Sequence, residues 1–546
     1  MRTFIYSVAA AAAMAVGGVS AAFAQGHIII QNANAPNVGF NDPTPAAPVG
    51  GNPGTTLGQQ RLNVFNRAAQ IWEGVLQPKV DILVNARFTA LGPNVLGSAG
   101  PTFIFDNFPG AEYPDMWYHS ALADHLAGVD LNPGAPDIGA NFSADAPFYL
   151  GFDNNDGAGQ SDLLPVVLHE LGHGLGFSNF IDDTTGELAD GEADIYSQYT
   201  LDVTTGKIWS QMTDAERAAS SINVRKVSWN GINVKKDVPK VLQFGEPFAR
   251  NNTANGPLLM IGPASFGPAL TIAGYTGDLA LGLDGVGNSG DACEPITSNV
   301  AGKIVLVDRG TCVFTVKVKN AQNAGALAVL VADNAPGAPP AGLGGNDPTI
   351  TVFSARIQQV DGNALKAALV NQNVNVTIAR DTSIRSGTDR VQRLAMVAAL
   401  NPVQPGSSIS HWDTAGIPNQ LMEPSINADL TSSVRPPEDL TSSQMTDIGW
   451  FSDGDGVPDG NDNCIGSDLK PTVVIKGCNT KAGNDVQGNG CSVADDVNQC
   501  AIDFANKPLQ QLACQITNAE RLRRAGIITT KEAAGILTCS ILTLGH

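Results

Sequence analysis

The stretch that decides how this chain reads is Leu163-Leu164-Pro165-Val166-Val167-Leu168-His169-Glu170-Leu171-Gly172-His173-Gly174-Leu175-Gly176. Residues Asp162–Leu175 carry an apolar face at helical spacing, and Gly176 is a stop signal, so the run predicts one helix. His169 and His173 stand one turn apart on the same face. That spacing lets two imidazoles bind a single zinc ion. Glu170 then lies beside the metal, placed to take a proton from water as a general base. The apolar run before the motif predicts that the helix is buried, and two buried histidines need a partner. A zinc site also needs a third protein ligand.

Other histidines stand at His27, His119, His125, His411 and His546. His119 and His125 lie six apart on a helix-like stretch, do not share a face, and read as structural. The motif with Gly176 resembles the metzincin pattern H-E-x-x-H-x-x-G-x-x-H. The chain departs from it at Asn179, where the third His belongs, and a neutral amide is a poor zinc ligand. Far downstream comes Ser410-His411-Trp412, and eleven residues after His411 comes Leu421-Met422-Glu423-Pro424. This set, split by a long insertion, resembles the leishmanolysin-type metzincins over roughly 57–235 and 383–450. The resemblance implies His169, His173 and His411 as zinc ligands and Glu170 as general base. It also implies Gly176 as the turning glycine and Met422 as the apolar floor. A gluzincin-like alternative stays open, in which Glu192, or its neighbours Glu187 and Asp194, supplies the third ligand. No Cys precedes residue 293 and no Tyr follows Met422. A cysteine-switch propeptide and a tyrosine oxyanion partner in the usual place are therefore excluded.

The rest of the chain gives these residues a setting. At 546 residues it is long enough for roughly three to four domains. Its net charge of −20 argues against nucleic-acid binding, because phosphates demand a basic surface. No run after the N-terminus reaches the ~18 apolar residues of a membrane span. The first 24 residues read as a secretory signal ending in Ala22-Phe23-Ala24, of bacterial appearance. Eight cysteines in an exported chain read as disulfides. Cys293 and Cys312 stand apart from the other six and are paired here; the six allow 15 connectivities. His27–Ile30 and Val80–Phe88 read as strands, 138–151 as extended and 57–77 as an amphipathic helix. Lys303–Val307, Val316–Ala324 and Leu327–Ala332 read as strand, helix and strand, while 383–450 reads as strand-like and turn-like pieces.

Two further segments carry resemblances. Gly302-Lys303-Ile304-Val305-Leu306-Val307-Asp308-Arg309-Gly310, Cys312-Val313-Phe314 and the helix and strand after them resemble a protease-associated (PA) domain. Such a module implies either contact with substrate or another protein or a passive structural insertion. Asp453-Gly454-Asp455-Gly456-Val457-Pro458-Asp459-Gly460-Asn461-Asp462 resembles a thrombospondin type 3 calcium repeat. It also fits an EF-type loop with Gly456 at position 6. Asp453, Asp455, Val457, Asp459 and Asp462 would then be calcium ligands, with Phe451 at position 1 in place of an acid.

The expected fold is α+β. A metzincin-like catalytic domain (25–237 and 383–451) is interrupted by a β-rich PA domain (238–382). A calcium loop (452–464) and a Cys-rich helical module (465–546) follow. The expected activity is that of a secreted zinc endopeptidase acting on proteins or peptides. The alternative is a non-catalytic extracellular binding protein on the same scaffold.

Overall fold

The structure is a computed structural model that describes residues 26–543, apart from 93–94, 158, 426–429, 453–454, 456 and 506. The signal segment, Asp453, Gly456 and His546 lie outside the described residues. Four strands build the sheet of the first region: β1 (Ile28–Asn32), β2 (Ile82–Thr89), β3 (Gly97–Pro101) and β4 (Ile138–Ser143). Their order is β1-β2-β4-β3, parallel except for β3, which runs antiparallel along one edge. In β2 the alternation buries Ile82, Val84, Ala86 and Phe88 on one face, the period-2 signature of a strand with a core on one side.

Helix α1 (Leu57–Leu76) covers that sheet, starting at the Thr56 cap and burying Val64, Phe65, Ala69 and Trp72. Helix α2 (Ser120–Ala127) is short, and helix α3 (Leu163–Leu175) is buried along its whole length. The α3 N-terminus is capped by Asp162 Oδ1, which accepts from Leu164 N at 3.0 Å. Its end is set by Gly176 at φ 140°, where a Cβ would meet Ile448 Cδ1 at 2.3 Å. Trp72 Nε1 donates to the Leu168 carbonyl, pinning α1 to α3. The reading of 119–125 as one helix needs correction. His119 closes a short strand, Met116–His119, paired with Ile104, and only His125 is helical.

The insertion is a closed barrel. Its strands are β5 (Phe244–Asn251), β6 (Leu259–Pro263), β7 (Tyr275–Leu281), β8 (Ile304–Asp308), β9 (Ala328–Ala332), β10 (Phe353–Ile357) and β11 (Asn375–Arg385). They close in the order β5-β6-β10-β9-β8-β7-β11. Strands β7 to β10 are parallel. Ile304, Leu306, Leu330 and Phe353 share one core cluster. Val305, Val307, Val329 and Val331 face a second one with Val318 and Ala321 of α4 (Phe314–Asn323). Burial on both faces explains the unbroken apolar runs of β8 and β9. Helix α5 (Gln359–Asn371) follows β10. Cys293 and Cys312 are bonded.

After the barrel, residues 386–425 and 430–440 run largely without regular elements, held by isolated bridges such as Val397↔Trp412 and Ser228↔Met396. Helix α6 (Thr441–Asp447) follows; its polar sequence had given no helical period. The tail folds as a hairpin and three helices around its own small core. Its disulfides are Cys464–Cys491, Cys478–Cys539 and Cys500–Cys514. No described helix is long and apolar enough to cross a membrane.

Candidate metal centre

His169 and His173 project from α3, and His411 arrives from the irregular segment 242 residues beyond His169. The Nε2 atoms of His173 and His411 lie 3.1 and 3.2 Å from Nε2 of His169. Each ring uses its other nitrogen on a backbone carbonyl. His169 Nδ1 donates to Leu421 O at 2.8 Å, His173 Nδ1 to Phe177 O at 2.8 Å and His411 Nδ1 to Ser407 O at 3.0 Å. A carbonyl only accepts, so every Nδ1 carries the proton and every Nε2 offers a lone pair. The short Nε2 separations are therefore not hydrogen bonds. Three acceptors facing one point call for a cation. A tetrahedral zinc with ~2.0–2.1 Å bonds to nitrogen needs ligand atoms about 3.3 Å apart, which fits this trio.

Burial pushes the trio away from protonation. His169 falls to about 4 and His173 to about 3, and His411 lies well below the ordinary imidazole range, with its two neighbours adding to the effect. Neutral imidazole is the form that binds metal. Glu170 is pushed up to about 8 by burial, against a hydrogen bond from the Ala99 backbone that pulls the other way. Edge strand β3 approaches this carboxylate so closely that a Cβ on Gly97 would sit 2.7 Å from Glu170 Cγ. Glycine at 97 is thus a requirement of the site, and nothing in the Gly-Ser-Ala-Gly-Pro string announced a strand.

Met422 is fully buried against the floor of α3, where a Cβ on Gly172 would meet its Sδ at 2.8 Å. The Met422 carbonyl accepts from Trp412 N at 2.8 Å, and Asp439 Oδ2 accepts from Leu421 N at 2.6 Å. The turn that places Met422 thereby also holds His169 and His411. Asn179 stands where the metzincin pattern would put its third His. Its backbone N–H donates to Ser410 Oγ at 3.2 Å, next to His411. The rival acids go elsewhere. Asp194 caps a short helix through Ser197 N, Glu187 is exposed, and Glu192 faces Asp106 and Asp115. Among the described residues, His169, His173 and His411 form one group able to hold a metal, and Asp284, Asp291 and Glu294 of the barrel form another. The charge of that second group is answered by the buried Lys317, whose ammonium donates to Asp291 O at 2.6 Å.

His119 and His125 serve packing. His119 Nε2 meets Ser178 Oγ at 2.8 Å, and His125 Nδ1 accepts from Lys79 N at 3.2 Å. In the acidic loop, Asp455, Asp459 and Asp462 accept from the backbone N–H groups of Val457, Phe451 and Cys464.

The trio opens into a cleft of about 1090 Å³. Its lining runs from Ser161 and Asp162, at the start of α3, past His169, Glu170 and His173, to Ser178–Thr184 beyond its end. Thirteen helical residues span roughly 20 Å. Leu96–Ala99 of β3 and its approach form one wall, and Ser265 of the barrel reaches the lining. The barrel is also tied to the His411 segment. Arg225 binds Glu246 of β5 at 2.9 Å and Asp413 at 3.6 Å, and Ala338 exchanges both backbone hydrogen bonds with Asn401.

Comparison with known proteins identifies the barrel. The family model of the PA domain matches residues 275–365. Signal peptide peptidase-like 4 of Oryza sativa is 40% identical over 85 residues, 15% of this chain and 14% of that protein. Vacuolar-sorting receptor 2 of Arabidopsis thaliana is 39% identical over 105 residues, 17% of each chain. Probable leucine aminopeptidase 2 of Arthroderma benhamiae is 37% identical over 91 residues, 17% of this chain and 18% of that protein. The chain thus spans under a fifth of the length of each of these three relatives. Among solved structures, a zinc aminopeptidase from Bacillus subtilis matches at 23% identity and a TM-score of 0.20, over 27% of this chain and 36% of its own. A module shared by proteins so differently named marks a fold rather than an activity. The three histidines lie outside residues 275–365, and the chain contains a PA domain.

Proposed function

We propose that this chain is a zinc-dependent peptidase, and more finely an endopeptidase of the metzincin type. The observation that carries the reading is the trio of Nε2 lone pairs, each fixed by a carbonyl on Nδ1, beside one buried carboxylate in a long cleft. His169, His173 and His411 would hold the metal. Bound zinc supplies Lewis acidity toward a carbonyl oxygen and makes water acidic near neutral pH. Glu170 takes the proton from the attacking water and delivers it to the departing amine. Its raised pKa suits a group that must both accept and return a proton near neutrality. Among the described residues the outer edge of β3 carries no strand partner, so its backbone groups, apart from the Ala99 group bonded to Glu170, are available to an extended peptide laid along the cleft. A cleft of roughly 20 Å holds about six extended residues, which favours cleavage within a chain. Four disulfides suit an oxidising compartment and support a secreted enzyme. The approach of Ser265 to the cleft supports substrate contact by the barrel.

The test is digestion of a peptide mixture, read by mass spectrometry, with wild type beside Glu170→Ala. Internal cleavage by wild type is expected, with a loss of about 10³-fold or more in the variant at unchanged zinc content. Full activity in Glu170→Ala overturns the mechanism. Absence of cleavage by the zinc-loaded wild type hands the chain to the binding-protein alternative.

A further inference from the structure

Both backbone groups of Leu421 are engaged. Its carbonyl accepts from His169 Nδ1 at 2.8 Å, and its N–H donates to Asp439 Oδ2 at 2.6 Å. The other carboxylate oxygen of Asp439, Oδ1, accepts from Thr441 N at 2.7 Å, at the start of α6. Asp439 is 2% exposed; burial pushes its carboxyl up, and these hydrogen bonds pull it down. Neighbouring contacts hold the rest of the turn. Gln420 N donates to Glu423 Oε1 at 3.0 Å, Leu440 N to Gln420 Oε1 at 3.0 Å, and Trp412 N to the Met422 carbonyl at 2.8 Å. Leu421 itself is tied to α6 through Asp439. An imidazole ring is oriented by the acceptor that its N–H finds, so the Leu421 carbonyl decides where His169 Nε2 points. That Nε2 stands 3.1 and 3.2 Å from those of His173 and His411, and a small rotation of this ring would open the trio on both sides.

We propose that Asp439 is a positioning residue for the metal: it holds Leu421 by its N–H, and Leu421 holds the His169 ring in register with the other two. The inference deepens the zinc reading of the trio and rests on it. A carboxylate suits the task because it offers an acceptor on each oxygen to two N–H donors. An amide in its place would turn its NH2 toward one of them. Asp447, at the far end of α6, provides the control. It is fully buried and accepts from Trp229 Nε1, Asn233 N and Val234 N, none of which belongs to the turn.

The experiment measures metal binding, so it does not depend on turnover. Zinc is titrated against a competing chelator in wild type, Asp439→Asn, Asp439→Glu and Asp447→Asn. Cobalt is then substituted, so that its visible absorption reports ligand geometry, and metal-free denaturation midpoints are recorded. Asp439→Asn should bind zinc about tenfold more weakly, with a changed cobalt band. Asp439→Glu, which keeps both acceptors one methylene further out, should fall between it and the wild type. Asp447→Asn should lose stability yet keep the wild-type affinity and band. Wild-type affinity and band in Asp439→Asn overturn the proposal. So does an equal loss in Asp447→Asn, which would mark a purely structural role. If Asp439→Asn does not fold, Asp439→Glu decides, and a wild-type affinity and band in it overturn the proposal. A wild type that binds no zinc refutes the metal reading itself, and the proposal falls with it.

Discussion

The barrel and the region around the histidines solve opposite problems. The barrel buries strands such as Ile304–Asp308 and Ala328–Ala332 on both faces, and its two apolar clusters are drawn from residues between 249 and 378. The metal-bearing region has a larger apolar core but runs a seam of buried polar groups through it: His169, Glu170, His173, His411, Asp413 and Asp439. Its key residues meet across 242 positions of sequence. The barrel rests mainly on apolar burial, with one disulfide added, whereas the seam is stable only where each polar group finds its counterpart. The two regions join through polar contacts, among them Arg225, which Glu246 of the barrel and Asp413, two residues past His411, share.

That junction gives the largest expected effect on stability. Arg225→Ala leaves the buried Asp413 without the cation it faces, while Glu246 keeps Arg390. Removing one partner of a buried pair costs about 3–5 kcal/mol. Chemical denaturation should show a lower midpoint for the histidine-bearing region, with zinc content reduced because Asp413 lies so near His411. An unchanged midpoint would mean that the two regions are independent.

The converse perturbation is a little smaller and falls on the other side. Replacing Cys293 and Cys312 by Ala opens a loop of 19 residues, worth about 3 kcal/mol. The barrel transition should shift while zinc stoichiometry stays at wild type. Loss of zinc in this variant would contradict the separation of the regions.

The smallest effect is an absence of change. In metal-free protein, His169 and His173 protonate only near about 4 and about 3, and His411 lower than an ordinary imidazole. Because the folded values lie below the unfolded value near 6.5, the unfolded chain takes up more protons between about pH 4 and 6.5. The trio's contribution to stability therefore falls as pH drops through that window. Zinc competes with protons only once the folded rings protonate. In Glu170→Gln, which removes the other titrating group beside the metal, zinc affinity should stay level from pH 8 to about 5. A steady decline beginning near pH 6.5, read with a competing chelator, would contradict the buried trio.

What the sequence made legible was local. His169, Glu170 and His173 sit within five residues, and α1, β2, β8 and β9 follow an apolar period or run. Much of the site was not local. Strand β3 has no apolar pattern because its role is close approach to Glu170, which demands Gly97. Residues 386–425 are held by single bridges, so no periodicity marks them; His411 was reachable only through its likeness to a family. Helix α6 is polar because Asp447 receives Trp229 Nε1 and Asn233 N at 2.8 Å inside the fold. The carbonyls of Leu421, Phe177 and Ser407 that orient the imidazoles carry no side-chain signal at all.

The central claim is that three histidines, two on one helix and one 242 residues beyond His169, hold a single zinc. Zinc content by elemental analysis, wild type beside His411→Ala, tests it most directly. The account predicts one equivalent in the wild type and its loss in the variant. A full equivalent retained by His411→Ala would contradict it and return the third ligand to another residue.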